Sequence, residues 1–161
     1  MIELERYIND HLEERTFSMM EPQEQINYSI QEDSIHGELE DFIKKNRKPT
    51  LNQVLFRYVD EKGLKDSEVY KRAGIDRRHF SKIRSNPDYQ AGKNTVIALA
   101  FSLELSYEET GELLDSAGYS LSDSDTYDLV IQFCLEKNIY DLHDVNQALD
   151  YFSLKPLTGL Y

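Results

Sequence analysis

The stretch Leu64–Asn86, LKDSEVYKRAGIDRRHFSKIRSN, decides how the rest of this chain is read. Gly74-Ile75-Asp76 separates two short helical patterns. Glycine enters the left-handed backbone region that a sharp interhelical turn requires, and aspartate is a favoured N-cap, so the tripeptide closes one helix and opens the next. Val69 and Ala73 form the inward face of the first helix, and Phe80 and Ile83 that of the second. Arg77, Arg78, Ser81, Lys82 and Ser85 then stand at positions one, two, five, six and nine of the second helix, which share one face. Long cationic side chains near the start of an exposed helix are what reading a DNA major groove requires. Arginine pairs bidentately with guanine O6 and N7, and serine and lysine bond bases or phosphate.

The same three- and four-residue apolar spacing runs outward in both directions, with almost no β-branched alternation, so the whole chain reads as helical. Upstream, Leu51, Val54, Leu55, Tyr58 and Val59 predict a helix ending at Gly63. Downstream, Val96, Leu99, Ala100 and Leu103 predict another. Ser106 and Glu109 fit a capping box that opens a helix through Leu113 and Leu114 to Gly118. Two more helices follow, one carrying Leu129, Val130, Phe133 and Cys134, the other Val145, Ala148, Leu149 and Phe152. At the N-terminus, Leu4, Ile8 and Leu12 predict a short amphipathic helix over 1–14. Residues 16–33 read as a polar linker with some helical content. Ile35, Leu39, Phe42 and Ile43 share one face of a helix over 34–46 that Pro49 terminates. The expected organisation is a helical arm and linker (1–48), a central domain (49–118) and a helical extension (119–161).

The charge pattern adds to this. The chain has 161 residues, with Lys plus Arg 18, Asp plus Glu 30, and a formal net charge of -12. Such a balance argues against a nucleic-acid binder, because phosphates must be neutralised by Lys and Arg. It is not evenly spread, however. Residues 1–48 hold six basic and twelve acidic side chains, residues 49–93 ten basic and six acidic, and residues 94–161 only Lys137 and Lys155 against twelve acids. The chain is an acidic body with one basic insert, and phosphate feels the field within about 8–10 Å. Any DNA contact is therefore confined to one face around Arg57–Lys93.

Residues 51–110 resemble the lambda-repressor-like helix-turn-helix domain of phage repressors and Cro-type regulators. The likeness runs through Leu64, Val69, Gly74-Ile75, Phe80-Ser81 and Ile83, and continues with Val96, Leu99-Ala100, Leu103 and Leu105. The resemblance implies a five-helix centre; with the helical N-terminal arm and C-terminal helical extension read from apolar spacing, the expected fold is all-α. It implies duplex DNA as partner, read by the helix at about 76–85, and a role in transcriptional regulation. Carried over by position, the base-reading candidates are Arg77, Arg78, Ser81, Lys82 and Ser85. The phosphate-contact candidates are Lys65, Lys93 and Asn94. Two positions depart from the family pattern. Tyr70 stands where a small residue usually lies at the helix crossing, so the crossing must be wider or the ring must lie sideways. Arg84 stands where glutamate is frequent, which adds positive charge. A looser resemblance links Leu51–Leu157 to a helical module carried behind macro domains in some bacterial proteins. It implies an accessory or regulatory role and leaves DNA and protein both open as partners.

Catalytic readings find little support. No phosphate-cradling glycine motif is present, and His11, His36, His79 and His143 lack i, i+4 ligand spacing. Asp123, Asp125 and Asp128 read as a helix cap and solvated charge, without the glycine turn and distal glutamate of a calcium loop. Cys134 reads as a buried inert thiol, and Tyr89 as a loop residue free to touch a partner. No enzyme activity, cofactor or metal is expected. The single cysteine, the absence of an apolar run of spanning length and the N-terminal residues lead to the expectation of a soluble cytoplasmic protein. The rival to DNA binding is an acidic protein–protein interaction or inhibitor protein using a repurposed helix-turn-helix fold, of which a DNA mimic is one form. A homodimer formed through the Leu4/Ile8/Leu12 arm is a further expectation.

Overall fold

A computed structural model describes residues 28–158, and everything regular in them is α-helix. The elements are α1 (Tyr28–Asn46), α2 (Leu51–Lys62), α3 (Asp66–Arg72), α4 (Arg77–Ser85), α5 (Lys93–Ser102), α6 (Tyr107–Ser116), α7 (Thr126–Glu136) and α8 (Leu142–Tyr151). The all-α expectation is met. The Leu4/Ile8/Leu12 arm, and with it the expected arm-mediated dimer, lies outside the described residues. The chain divides into two units between Arg47 and Lys48.

Within the first unit, α1 begins at Tyr28, inside the stretch read as a linker. Tyr28–Asp33 is polar and offers no apolar periodicity to mark it as helix. At the other end, the Asn46 side-chain amide donates to the Phe42 carbonyl at 2.8 Å, satisfying one of the last orphan acceptors. Ile35, Leu39, Phe42 and Ile43 do share a face, and that face is exposed.

The second unit is built around α5. Every residue from Val96 to Ser102 is buried, so this helix is surrounded rather than amphipathic. It packs against α3, α6 and α8, while α2 packs on α5's neighbour α6 and on α4. The resulting core is continuous from Leu51 to Leu157 and includes Leu55, Ile83, Leu99, Phe101, Leu113, Ile131 and Leu149. The C-terminal helices α7 and α8 belong to this core rather than forming a separate body.

Local chemistry fixes where the helices begin. Ser106 accepts from the Glu109 amide at 3.1 Å and Glu109 accepts from the Ser106 amide at 2.9 Å, which is the expected capping box. Thr50 and Gln53 make a second one at the start of α2. Asp76, Asp125 and Asp141 cap α4, α7 and α8. Gly63 and Gly118 take positive φ at the ends of α2 and α6, as their positions predict.

One reading is corrected. Asp128 is not solvated charge: it is 1 % exposed. Its Oδ2 accepts from Lys93 Nζ at 2.7 Å and from the Ser122 amide at 2.8 Å. A buried carboxylate needs a charge partner and hydrogen bonds, and these supply both. Asp125 is the helix cap, and Asp123 accepts from the Gln132 side chain.

Candidate nucleic-acid interface

The candidate interface is built on α3, the turn after it, and α4. The turn is tied from several sides. Gly74 has φ +65°, the Ile75 amide donates to the Tyr70 carbonyl at 2.9 Å and the Gly74 amide to the Lys71 carbonyl at 3.1 Å. The long bond back from Ile75 satisfies a carbonyl that the ended helix leaves free. From 85 residues away in the chain, the Thr158 hydroxyl donates to the Ala73 carbonyl at 2.7 Å.

α4 is held at both ends and on its inner face. At its start the Asp76 carboxylate accepts from the Arg78 amide at 3.1 Å. At its end the Asn52 side-chain amide of α2 donates to the carbonyls of Ile83, at 2.6 Å, and Arg84, at 3.0 Å. Phe80 and Ile83 enter the core. Phe56 meets Phe80 edge-on at 5.6 Å, and Tyr70 lies beside Phe80 at 5.8 Å with the rings tilted by 49°. Tyr70 is half-buried, with its ring packed beside Phe80.

This scaffold leaves one face of α4 open. Arg77, Arg78, Ser81, Lys82 and Ser85 are all exposed, and the three cations make no ion pair with any described residue. Lys65 is exposed at the start of α3, and Asn94 is exposed in the first turn of α5. Lys93 differs from these, because its ammonium is held by buried Asp128.

Three of the ten basic residues in the insert are paired with carboxylates of the same unit. Lys93 is one. Arg84 makes a two-pronged pair with Asp66, with both N–O distances at 2.7 Å, and stacks 4.2 Å above the Phe56 ring. Its charge is matched within the fold, contrary to the reading that it strengthens the basic face. Arg57 pairs with Glu112, which also accepts from the Tyr58 hydroxyl at 2.5 Å. The hydrogen bonds from Tyr58 and then Arg57 hold the Glu112 carboxyl below the usual carboxylate range. Burial, then the bond to Glu112, pushes the Tyr58 phenol up to about 12. The remaining seven cations are Lys62, Lys65, Lys71, Arg72, Arg77, Arg78 and Lys82, all exposed.

The positions that build the face were not all visible in the sequence. Asn52 lies 31 residues before the carbonyl it bonds, so no local pattern marks it as a support of α4. Tyr89 is not a free loop residue. It is half-buried, its hydroxyl lies 3.2 Å from His79 Nε2, and the two rings meet edge-on.

Among the described residues, no three His, Cys, Asp or Glu side chains come together to hold a metal. Cys134 is buried, and burial together with nearby Asp144 pushes its thiol up, away from the reactive thiolate. No described helix is long and apolar enough to cross a membrane. Comparison of the chain with known protein families, with curated proteins and with solved structures finds no match.

Proposed function

We propose that this chain is a DNA-binding regulator that presents α4 to the major groove of duplex DNA. The observation that carries the reading is the outer face of α4. Arg77, Arg78, Ser81, Lys82 and Ser85 are exposed together there, and its cations have no ion-pair partner among the described residues, while the rest of the helix is held by Asn52, Asp76, Phe80 and Ile83. Such a face offers two arginines for guanine edges and hydroxyl and ammonium donors for bases or phosphate, in the manner of a helix-turn-helix recognition helix. Lys65 and Asn94 are the flanking phosphate contacts. Lys93 contributes the anchoring of α5 to α7 instead, through Asp128.

Binding by a single such face to random sequence is weak, because the positive surface is narrow and the flanking segments are acidic. Transcriptional regulation in the cytosol is the role this chemistry fits. The test is fluorescence anisotropy with labelled duplex DNA at about 50 mM salt. Replacing Arg77, Arg78 and Lys82 together by glutamate is expected to abolish binding with the helical circular dichroism spectrum unchanged. Equal binding by the folded variant would refute the proposal. The acidic-inhibitor reading predicts the reverse pattern, with no duplex retention and capture of basic proteins instead.

A further inference from the structure

A second exposed feature lies in the same compact unit, between α7 and α8. Thr126, Leu129, Val130 and Phe133 of α7 face Ala148, Tyr151 and Phe152 across a groove of about 540 Å³. Its large side chains stand in water: Leu129 is 44 % exposed, Phe133 54 %, Tyr151 83 % and Phe152 55 %. Single exposed apolar residues are ordinary, whereas four large ones lining one groove mark a contact surface. The spacing is helical on both walls, Leu129 to Phe133 on one side and Ala148 to Tyr151 and Phe152 on the other. A trough between two helices with apolar walls accepts a third helix, which fills it with residues at i, i+3, i+4 and i+7.

The charge around the groove selects among occupants. Exposed Asp125 immediately precedes Thr126. Exposed Glu136 lies three residues beyond Phe133, one turn along α7, and exposed Asp144 lies four before Ala148, one turn back along α8. Exposed Asp150 adjoins Tyr151, and the cations near the groove in sequence are Lys137, whose ammonium is 5.9 Å from the Phe133 ring centre, and exposed Lys155, three residues beyond Phe152, so acids outnumber cations four to two. A second copy pressing the same face against this one would set acid against acid, which costs affinity. An amphipathic helix with Lys and Arg beside its apolar stripe meets both the walls and the rim favourably.

We propose that the α7–α8 groove is a docking site for a partner protein's amphipathic helix whose apolar stripe is flanked by basic residues. The site is separate from the outer face of α4 and does not depend on DNA binding. It gives the acidic C-terminal segment a function: the rim chooses the sign of the partner's charge, and the groove chooses its apolar spacing.

The experiment uses the full chain and three labelled synthetic helical peptides of about five turns, roughly the length of a helix that spans a small domain. One has leucines at i, i+3, i+4 and i+7 with lysine flanks. The second has the same leucines with glutamate flanks. The third has the lysine composition with the leucine order scrambled. Anisotropy is expected to show binding of the first peptide only. The double variant Phe133→Ser/Tyr151→Ser, which alters only exposed side chains, should weaken that binding at least tenfold without lowering Tm. Glu136→Lys/Asp144→Lys should weaken the lysine peptide and admit the glutamate peptide. The proposal is overturned if no peptide binds, if the scrambled peptide binds equally, or if the serine variant binds as the parent does. Self-association in sedimentation that disappears in the serine variant would assign the groove to a second copy and overturn it as well.

Discussion

Replacing Asp128 by alanine removes the one fully buried charged group among the described residues, and the structure sets the scale of the loss. The carboxylate is 1 % exposed and accepts from both Lys93 Nζ and the Ser122 amide. Removing one partner of a fully buried pair costs about 3–5 kcal/mol. The Lys93 side chain keeps 31 % of its surface in water, so the stranded ammonium regains part of its hydration. That discount leaves roughly half of the full figure. The Ser122 amide, losing its acceptor, adds about 1 kcal/mol. Asp128 also sits in the first turn of α7, where the macrodipole favours an anion by about 0.3–1 kcal/mol. The expected total is about 3–4 kcal/mol, or a fall in Tm of around 10 °C for a chain of this size.

Asp128→Asn keeps an acceptor and the side-chain volume and is expected to lose about half as much. Lys93→Met in the Asp128→Asn background should then cost less than it does alone, because no buried carboxylate remains to be stranded. Urea unfolding followed by circular dichroism measures all four species of this cycle. A loss below about 0.5 kcal/mol for Asp128→Ala, within the range of ordinary surface changes, would refute the reasoning. So would strictly additive single and double variants.

The other expectations concern the turn and the two titrating clusters. Gly74→Ala forces a Cβ into a φ of +65° and is expected to destabilise by about 1 kcal/mol, read as an earlier urea midpoint; an unchanged midpoint would contradict the left-handed turn. The Glu112 carboxyl is held below its ordinary value by Tyr58 and Arg57, so its contribution is present above the unfolded-state value of about 4.3 and is lost as pH falls through the folded one. The Tm gap between the parent and Glu112→Gln should accordingly be widest near neutrality and close in acid; a constant gap would argue against the cluster. Tyr58 and Tyr127 are both pushed up to about 12, chiefly by burial. Their stabilising share is full below about 10, the unfolded value, and is lost as pH rises through the folded one, so alkaline unfolding in that window should be blunted in Tyr58→Phe.

Much of the second unit was legible in local sequence because its helix ends are written in local chemistry. Gly63, Gly74 and Gly118 adopt the positive φ their positions call for, and Asp76 and the Ser106–Glu109 pair cap as their spacing predicts. What was not legible depends on partners far away in the chain. The burial of Asp128 follows from Lys93, 35 residues earlier, and without that contact an aspartate in an acidic cluster reads as solvated. Arg84 looks like one more surface cation until Asp66 and Phe56 are seen to hold it. Periodicity also names a stripe without saying which part of it is covered. On α7, Val130 and Cys134 are buried while Leu129 and Phe133, in the same apolar set, remain in water. The same holds for Ile35, Leu39, Phe42 and Ile43 of α1.

Whether the outer face of α4 neutralises and reads DNA, as proposed, shows in the salt dependence of binding. The outward cations of the candidate face are Lys65, Arg77, Arg78 and Lys82, with Lys93 held by Asp128. Each phosphate neutralised contributes about -0.9 to the slope of log K against log salt. A slope between about -2 and -4 per bound chain is therefore expected, because arginines that reach base edges release fewer counterions than those on phosphate. Arg77→Glu/Arg78→Glu/Lys82→Glu should remove measurable binding. A slope near zero, no binding at about 50 mM salt, or a slope that the triple variant leaves unchanged would contradict the account.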